Sequence, residues 1–267
     1  MTRFSIHVAN TPGYAHAGAF TEVADCLSAA LRDLGHVAER TDDITARGSG
    51  SDRVIVLGTN LVANDPALRA ELPASALLYN LEQIEVGSPW CSDDLLALYR
   101  DHRVLDYSPQ NIDRLADLGV TAARLLEVGY HPILPRIEPG PEDIDVLFYG
   151  SLNDRRAAVL ADLQARGAVV HHAFGVYGAE RDALVARSSV VLNMHYFEAR
   201  VFEIVRVSYL LANRRFVVSE RGGDATLEAP FTAGLVFADY DDLADTVESF
   251  LTNPCLLYTS PSPRDED

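Results

Sequence analysis

Two charged residues three apart, Glu203 and Arg206, open the stretch of this chain best placed to do chemistry. They follow an apolar run, Val190, Val191 and Leu192, that reads as a buried strand, and they precede another, Phe216, Val217 and Val218. Between the runs, Val201, Ile204, Val205, Tyr209 and Leu210 recur near a 3.6-residue period. A helix is therefore expected there, with Glu203 and Arg206 close to its first turns. In an open α/β sheet ligands bind outside the carboxyl ends of the strands, and the positive end of a helix dipole favours a phosphate. The alternative is an i,i+3 surface pair contributing only a few tenths of a kcal/mol.

Other polar groups also gather after apolar runs. His16 lies with Gly13, Tyr14 and Gly18 in the loop after residues 4–8, which alternate like a first strand. That loop has no GxGxxG fingerprint, so dinucleotide binding is not indicated. Glu82 follows residues 77–79, and an acid directly after an apolar strand is poorly explained as sheet structure. Capping of the next segment is its alternative reading.

Stepping along the chain, the elements needed to position these groups recur in order. Phe20, Val23, Ala24, Leu27, Ala30, Leu31 and Leu34 form an apolar helical stripe ended by Gly35. Residues 41–51 are polar, with a mobile loop expected at 48–51, and residues 53–57 read as a second buried strand. Residues 77–79, 104–107 and 123–126 read as the third to fifth strands, with a helix over 111–118 stopped by Gly119. Residues 136–143, rich in proline, glycine and acid, mark a domain boundary. The pattern then restarts with a strand at 146–149, a turn into a helix from 150, a strand at 168–173, a helix at 178–186, and a late strand at 235–238 before a helix running to Leu251.

Strand-helix alternation in both halves implies two Rossmann-like, doubly wound parallel sheets, because parallel strands need crossovers that cover both faces. Their ligand edges are expected to face each other across a cleft, a preferred place for small molecules. The length of 267 residues, 48% hydrophobic, suffices for two ordinary cores. Mean hydropathy is +0.02, and no apolar run approaches the roughly 20 residues of a bilayer-crossing helix. No integral membrane contact is expected. The N-terminus enters a strand with no visible secretory leader, which points to the cytoplasm. A net charge of −17 argues against nonspecific binding to nucleic acid or anionic membrane. Cys26, Cys91 and Cys255 lack the spacing of a disulfide framework or a zinc site, and Cys26 reads as a small packing residue.

Several short motifs carry a resemblance. They are GYAHAGAF (residues 13–20) with Glu22, YNLEQ (79–83), DYSPQN (106–111), VGYHP (128–132) and FYGSLNDRR (148–156). In this order the chain resembles the group 1 GT-B glycosyltransferases, and it is similar to the spore-maturation, glycosyltransferase-like proteins. The resemblance implies an acceptor-side domain over residues 1–135 and a donor-side domain over 144–254. It implies a hexosyltransferase-like activity that moves a sugar from a nucleotide-diphosphate sugar to an acceptor, with no cofactor and no catalytic metal.

Residue by residue, the resemblance places Gly150 and Ser151 at the glycine turn near the donor phosphates. Arg155 and Arg156 then neutralise the diphosphate, a task suited to a permanently charged guanidinium, with a solvated helix face as the alternative. Many members carry two glutamates separated by seven residues, and Glu203 matches the second, which touches the ribose hydroxyls. The first position holds His195, a departure that leaves phosphate, sugar or a ligand-free core-edge role open. Asn193 precedes it at the same strand exit, Arg206 follows Glu203, and Glu220 reads as a polar contact near the donor. For the proton of the acceptor hydroxyl, His16 and Glu82 are the candidates. A histidine satisfying a backbone carbonyl is the alternative for His16, and a retaining enzyme needs no such base.

Residues 255–267 break the preceding helix and resemble a translated adapter, so they are left out of the fold, and the natural chain is expected to continue beyond Pro254. Two other functions are compatible with the scaffold: a non-catalytic binder of sugar nucleotides or glycans, and a nucleotide-sugar epimerase.

Overall fold

The computed structural model describes residues 1–11, 15–45, 52–88, 90–197, 200–253 and 255–256. Gly13 and Tyr14, the loop at 48–51 and most of the C-terminal stretch from 255 lie outside the described residues. The chain divides into two units, Met1–Ile133 and Leu134–Asp267.

Unit 1 runs β1 (Arg3–Val8), α1 (Thr21–Asp33), β2 (Val37–Thr41), β3 (Arg53–Leu57), α2 (Thr59–Asn64), α3 (Pro66–Glu71), β4 (Leu77–Asn80), α4 (Asp93–Asp101), β5 (Arg103–Asp106), α5 (Pro109–Asp117) and β6 (Arg124–Leu125). A 3-10 turn, Ala15–Phe20, leads into α1. The strands are all parallel, in the order β2-β1-β3-β4-β5-β6. The run expected as the second strand is therefore the third. The true second, Val-Ala-Glu-Arg-Thr, sits at an edge, where only one ladder is needed and alternate side chains reach solvent. Its Glu39 pairs across the edge with Arg3 at 3.0 Å.

The buried strands are apolar on both faces because helices cover both. Val54, Val56, Leu78 and Val104 pack with Leu61, Val62, Leu95, Tyr99 and Leu115 in one core. Short connections are made by recognisable caps. Gly58 takes a left-handed φ of 75° between β3 and α2, in a space where a Cβ would stand 3.2 Å from the Ala9 carbonyl oxygen. Asp65, Ser92 and Ser108 accept from backbone N–H groups at the starts of α3, α4 and α5, with Pro66 and Pro109 at the first helical positions.

Unit 2 runs β7 (Ile144–Tyr149), α6 (Asp154–Ala165), β8 (Val170–Ala173), α7 (Gly178–Ala186), β9 (Ser188–Asn193), α8 (Ile204–Ala212), β10 (Val217–Glu220), α9 (Ala225–Glu228), β11 (Val236–Ala238) and α10 (Leu243–Thr252). Its parallel sheet has the order β11-β10-β9-β7-β8. Val146, Phe148, Val190, Leu192 and Val218 meet Val159, Leu163, Val247 and Phe250 in the second core. The proline-rich segment before β7 is tied to this unit. Asn213, at the end of α8, accepts from the N–H groups of Arg136 and Ile137 at 2.6 and 2.9 Å, and Arg215 donates to the carbonyl of Ile137 at 3.0 Å.

In both sheets the strand order reverses beside the first strand of the unit. The reversal lies between β1 and β3 in unit 1, and between β7 and β9 in unit 2. Helices leave these neighbouring strands toward opposite faces, so a crevice opens at their carboxyl ends, the place where such sheets bind ligands.

Candidate functional site

At the crevice of unit 2, β7 ends in Tyr149-Gly150 and β9 ends in Asn193-Met194-His195. Gly150 has a φ of 143°, and a Cβ there would lie 3.1 Å from Arg206 Nη2. The absence of a side chain lets the Arg206 guanidinium close over the turn, where it also lies 5.1 Å from the ring centre of Tyr149. Arg206 Nη1 donates to Asn193 Oδ1 at 3.1 Å, and Asn193 Nδ2 donates to Glu203 Oε2 at 3.1 Å and to Ser219 Oγ at 3.0 Å. Glu203 and Arg206 are therefore tied to the strand exit and do not form a solvent-facing pair. Glu203 is the N-cap residue of α8, and its carboxylate points back to β9.

His195 is buried, with Nδ1 3.0 Å from Glu203 Oε2 in an ion pair, and among the described residues Nε2 has no hydrogen-bond partner. Burial works to lower the histidine pKa. Contact with Glu203 and the charges of Glu220 and Glu228 outweigh it, so the pKa is raised. For Glu203, burial works upward, but His195, Arg206 and Asn193 together hold its carboxyl below the ordinary range. The contact thus favours the charged form of each partner.

The two arginines at the start of α6 are engaged with protein groups. Asn153 caps the helix by accepting from the Arg156 N–H at 2.9 Å. The Arg156 guanidinium is buried and donates to the carbonyls of Ser151 at 2.8 Å, of His195 at 3.2 Å and of Met194. Burial, followed by the neighbouring Arg206 charge, pushes its pKa down to about 10, which leaves it charged at neutral pH. Arg155 forms a two-bond fork with Glu220, one arm at 2.7 Å, and lies 3.8 Å from the ring centre of Tyr240. Glu220 also accepts from the His195 N–H at 3.0 Å. Five carbonyl or carboxylate acceptors thus take up donors of the arginine pair, where the sequence points to diphosphate oxygens. Arg206, with one side-chain hydrogen bond among the described residues, retains the most free donors of the three there.

The structure brings Gly150, Ser151, Arg155, Arg156, Asn193, His195, Glu203, Arg206 and Glu220 to this single edge. It adds residues the sequence did not single out. Tyr240 donates to the Arg155 carbonyl at 2.9 Å. Buried Glu228 accepts from the Gly222 N–H. His172 stacks on Phe148, and its Nε2 lies 2.8 Å from the Gly150 carbonyl oxygen. Glu228 closes a four-residue helix that carries no periodic signal, whereas His172 is the penultimate residue of a strand next to β7 and its edge position was readable.

In unit 1, half-buried His16 lies in the 3-10 turn between β1 and α1, and Glu82 lies two residues beyond β4, both on the carboxyl side of the sheet. Among the described residues the Glu82 carboxyl has no hydrogen-bond or ion-pair partner. Burial pushes its pKa up to about 7. Among the described residues no group of three or more His, Cys, Asp or Glu is arranged to hold a metal ion.

No family model matches the chain. Among curated proteins it is similar to three from Acanthamoeba polyphaga mimivirus, each named an uncharacterized protein. L140 is 28% identical over 190 residues, covering 66% of this chain and 59% of L140. L137 is 27% identical over 181 residues, covering 64% of this chain and 24% of L137. The chain thus spans about three fifths of the first relative and a smaller part of the others. Among solved structures it is similar to AviGT4, a glycosyltransferase involved in avilamycin A biosynthesis, with a TM-score of 0.58 and 14% identity over 98% of this chain and 89% of that one. It is similar also to Anabaena HepE in complex with UDP and glucose, with a TM-score of 0.57 and 12% identity over 95% and 90% of the two chains.

The fold is GT-B. In a GT-B chain of this kind the described network occupies the carboxyl edge of the second α/β unit, and the edge of the first unit carries His16 and Glu82. Identity of 14% or less extends the likeness to the fold alone.

Proposed function

We propose that the chain is a glycosyltransferase that takes its sugar from a nucleoside-diphosphate sugar, bound by unit 2. The observation that carries this reading is the convergence of Arg206, Arg156, His195 and Glu203 at the strand-order reversal of unit 2, around a glycine turn without a side chain. A nucleoside diphosphate presents two anionic phosphates and a vicinal diol, and the edge offers complementary groups for each. Arg206 and the remaining N–H groups of Arg156 suit the phosphates, and His195 adds to their field when protonated. Glu203 Oε1, whose nearest cation is Arg156 Nη2 at 3.9 Å, keeps lone pairs for ribose hydroxyls. HepE, a structure of similar fold, is described in complex with UDP and glucose, which supports the same ligand class here.

In transfer, the bond from the sugar carbon to the diphosphate breaks and its electron pair leaves with the nucleotide. The guanidinium groups stabilise that charge, so the reading needs no metal. His16 and Glu82 of unit 1 are the candidates for the acceptor proton. The reading places the chain in the cytoplasm, where nucleotide sugars are made, and no helix among the described residues is long and apolar enough to cross a membrane.

The test is calorimetric titration with UDP, GDP and ADP and their glucose conjugates, followed by release of free nucleotide in the presence of sugar acceptors. Binding and release by the wild type, with both lost in Glu203→Ala and Arg206→Ala variants that remain folded, is the expected result. Binding that survives both substitutions ends the donor assignment, and binding without release of nucleotide favours a non-catalytic sugar-nucleotide binder.

A further inference from the structure

The motifs YNLEQ and DYSPQN converge on one residue of unit 1. The backbone N–H of Glu82 donates to Asn80 Oδ1 at 3.3 Å, and its carbonyl accepts from Asn80 Nδ2 at 2.8 Å and from Asn111 Nδ2 at 3.0 Å. Both amides are in turn held by one carboxylate. Asp106 Oδ2 accepts from Asn80 Nδ2 at 2.6 Å, and Asp106 Oδ1 accepts from Asn111 Nδ2 at 3.1 Å and from the Ser108 N–H at 2.8 Å. Asn111 Oδ1 takes the N–H of Ile84 at 3.0 Å, and Arg114 donates to the Ile84 carbonyl at 3.0 Å, so the turn after Glu82 is fixed as well.

Asp106 determines which way these amides face. Burial pushes the Asp106 carboxyl up to about 7 against these hydrogen bonds, and in its ionised form it only accepts, so each asparagine then turns its NH₂ toward Asp106. From that orientation the same NH₂ groups reach the Glu82 carbonyl; a flipped amide would set oxygen against oxygen. Asn80, Asp106, Ser108 and Asn111 are all 1% exposed or less, and every hydrogen-bond partner found for the Asp106 side chain is a neutral N–H group. A buried acid without a cation is costly to fold, and apolar residues would close the sheet edge more cheaply. What the arrangement secures is a Glu82 backbone held at both its N–H and its carbonyl, carrying a carboxyl that has no hydrogen-bond or ion-pair partner among the described residues.

We infer that Asp106 is a positioning residue which, through Asn80 and Asn111, fixes Glu82 to receive the acceptor proton. The inference rests on the glycosyltransferase reading above. In the step, the acceptor O–H bond breaks and its proton passes to the Glu82 carboxylate. The freed oxygen pair bonds to the sugar carbon, while the bond to the diphosphate breaks and its pair leaves with the nucleotide.

The experiment follows the Glu82 carboxyl by ¹³C NMR titration of the full chain labelled in glutamate, the signal assigned by its loss in Glu82→Gln. A midpoint near 7 is expected in the wild type, falling toward the ordinary 4.5 in Asp106→Asn as the turn is released to water. Asn111→Ser, which removes one of the two amide donors and keeps Asp106 bonded to Asn80, is expected to shift in the same direction by less and covers the case in which Asp106→Asn does not fold. A midpoint unmoved in a folded variant overturns the positioning role. With UDP-glucose as donor, kcat is expected to fall on the order of 10²-fold in Asp106→Asn at unchanged donor KM. The substitution should have no further effect in a Glu82→Gln background. Full turnover in Glu82→Gln removes the proton-acceptor role, and UDP-glucose that binds without turnover counts against the glycosyltransferase reading while the titration still decides the positioning.

Discussion

Arg155 and Glu220 face each other 65 residues apart in sequence as a two-bond fork in which the glutamate side chain is 1% exposed and the arginine side chain 33%. The asymmetry in burial sets an asymmetry in consequence. Removing the arginine leaves a carboxylate with little access to water and only the His195 N–H, whereas removing the acid leaves a guanidinium that solvent reaches. Arg155→Ala is therefore expected to cost about 3–5 kcal/mol, the range for a buried charge stripped of its partner. Glu220→Gln, which keeps an acceptor for one arm, is expected to cost about 1–2 kcal/mol. Urea unfolding of both variants checks the order; equal costs would mean that the fork contributes no more than a surface pair.

The His195–Glu203 pair makes the donor edge sensitive to pH in a direction that can be worked out. A histidine whose pKa is raised by folding contributes stability that is complete below its ordinary value of 6.5 and is lost as pH rises through the raised value. A glutamate held below its ordinary 4.5 contributes stability above that value and loses it as pH falls further. The pair is then fully effective between about 4.5 and 6.5 and fades on the alkaline side. The groups acting on the imidazole are Glu203, Glu220 and Glu228 by charge, while Arg155 and Arg156 hold its carbonyl. Melting temperature and UDP affinity are both expected to decline as pH rises above 6.5 through the raised value, and His195→Asn is expected to flatten both trends. An unchanged slope in that variant would assign the pH dependence to another group.

The central fold elements were legible because their burial is total. β9 carries the buried run Val190, Val191 and Leu192 and β10 the buried pair Val217 and Val218, and α8 between them keeps its helical stripe, so the strand-helix-strand unit was readable together with the place of Glu203 and Arg206. β2 was not, since an edge strand needs only one apolar face and reads as polar chain. α4 carried the signals of Ser92 and the following Asp93 and Asp94, but it is short and follows the turn-forming residue types Gly87, Ser88 and Pro89, with no long apolar stripe to mark it. The candidate site was legible as a set of residues at strand ends and illegible as a network. Nothing local shows that Glu220 takes the fork of Arg155, that Tyr240 lies under it, or that Asp106 reaches Glu82 through two asparagines. Such pairings depend on which strands are neighbours, and that order is set by the whole sheet.

Two glycines at the donor edge are expected to respond differently to a methyl group. At Gly222 a Cβ would stand 2.6 Å from the Arg200 carbonyl oxygen and 2.8 Å from Glu228 Oε1, so backbone must move. Gly222→Ala is expected to cost about 1–3 kcal/mol of stability, as overpacking does elsewhere. At Gly150 the nearest atom is Arg206 Nη2 at 3.1 Å, the end of a flexible side chain, although its φ of 143° adds strain for alanine. Gly150→Ala is expected to weaken UDP binding by more than its shift in melting temperature would suggest, because it displaces the freest of the three guanidiniums. Calorimetry and thermal melts on the two variants separate the effects. Loss of stability without loss of affinity at Gly150 would show that the turn does not face the nucleotide.

If guanidinium groups carry the charge of the departing diphosphate, turnover is expected to be indifferent to chelation. Donor cleavage with UDP-glucose should proceed equally in EDTA and in millimolar Mg²⁺. Arg206→Ala should lower kcat/KM by at least 10²–10³-fold, on the order of what removal of one preorganised transition-state donor does, with donor binding lost as well. Added Mg²⁺ should not restore it, because the ion offers no N–H donors in the place that the guanidinium held. Arg206→Lys keeps the charge but not the planar fork, so it should recover only part of the rate. Activity abolished by EDTA and restored by Mg²⁺ in the wild type would transfer the role from the arginines to a metal ion.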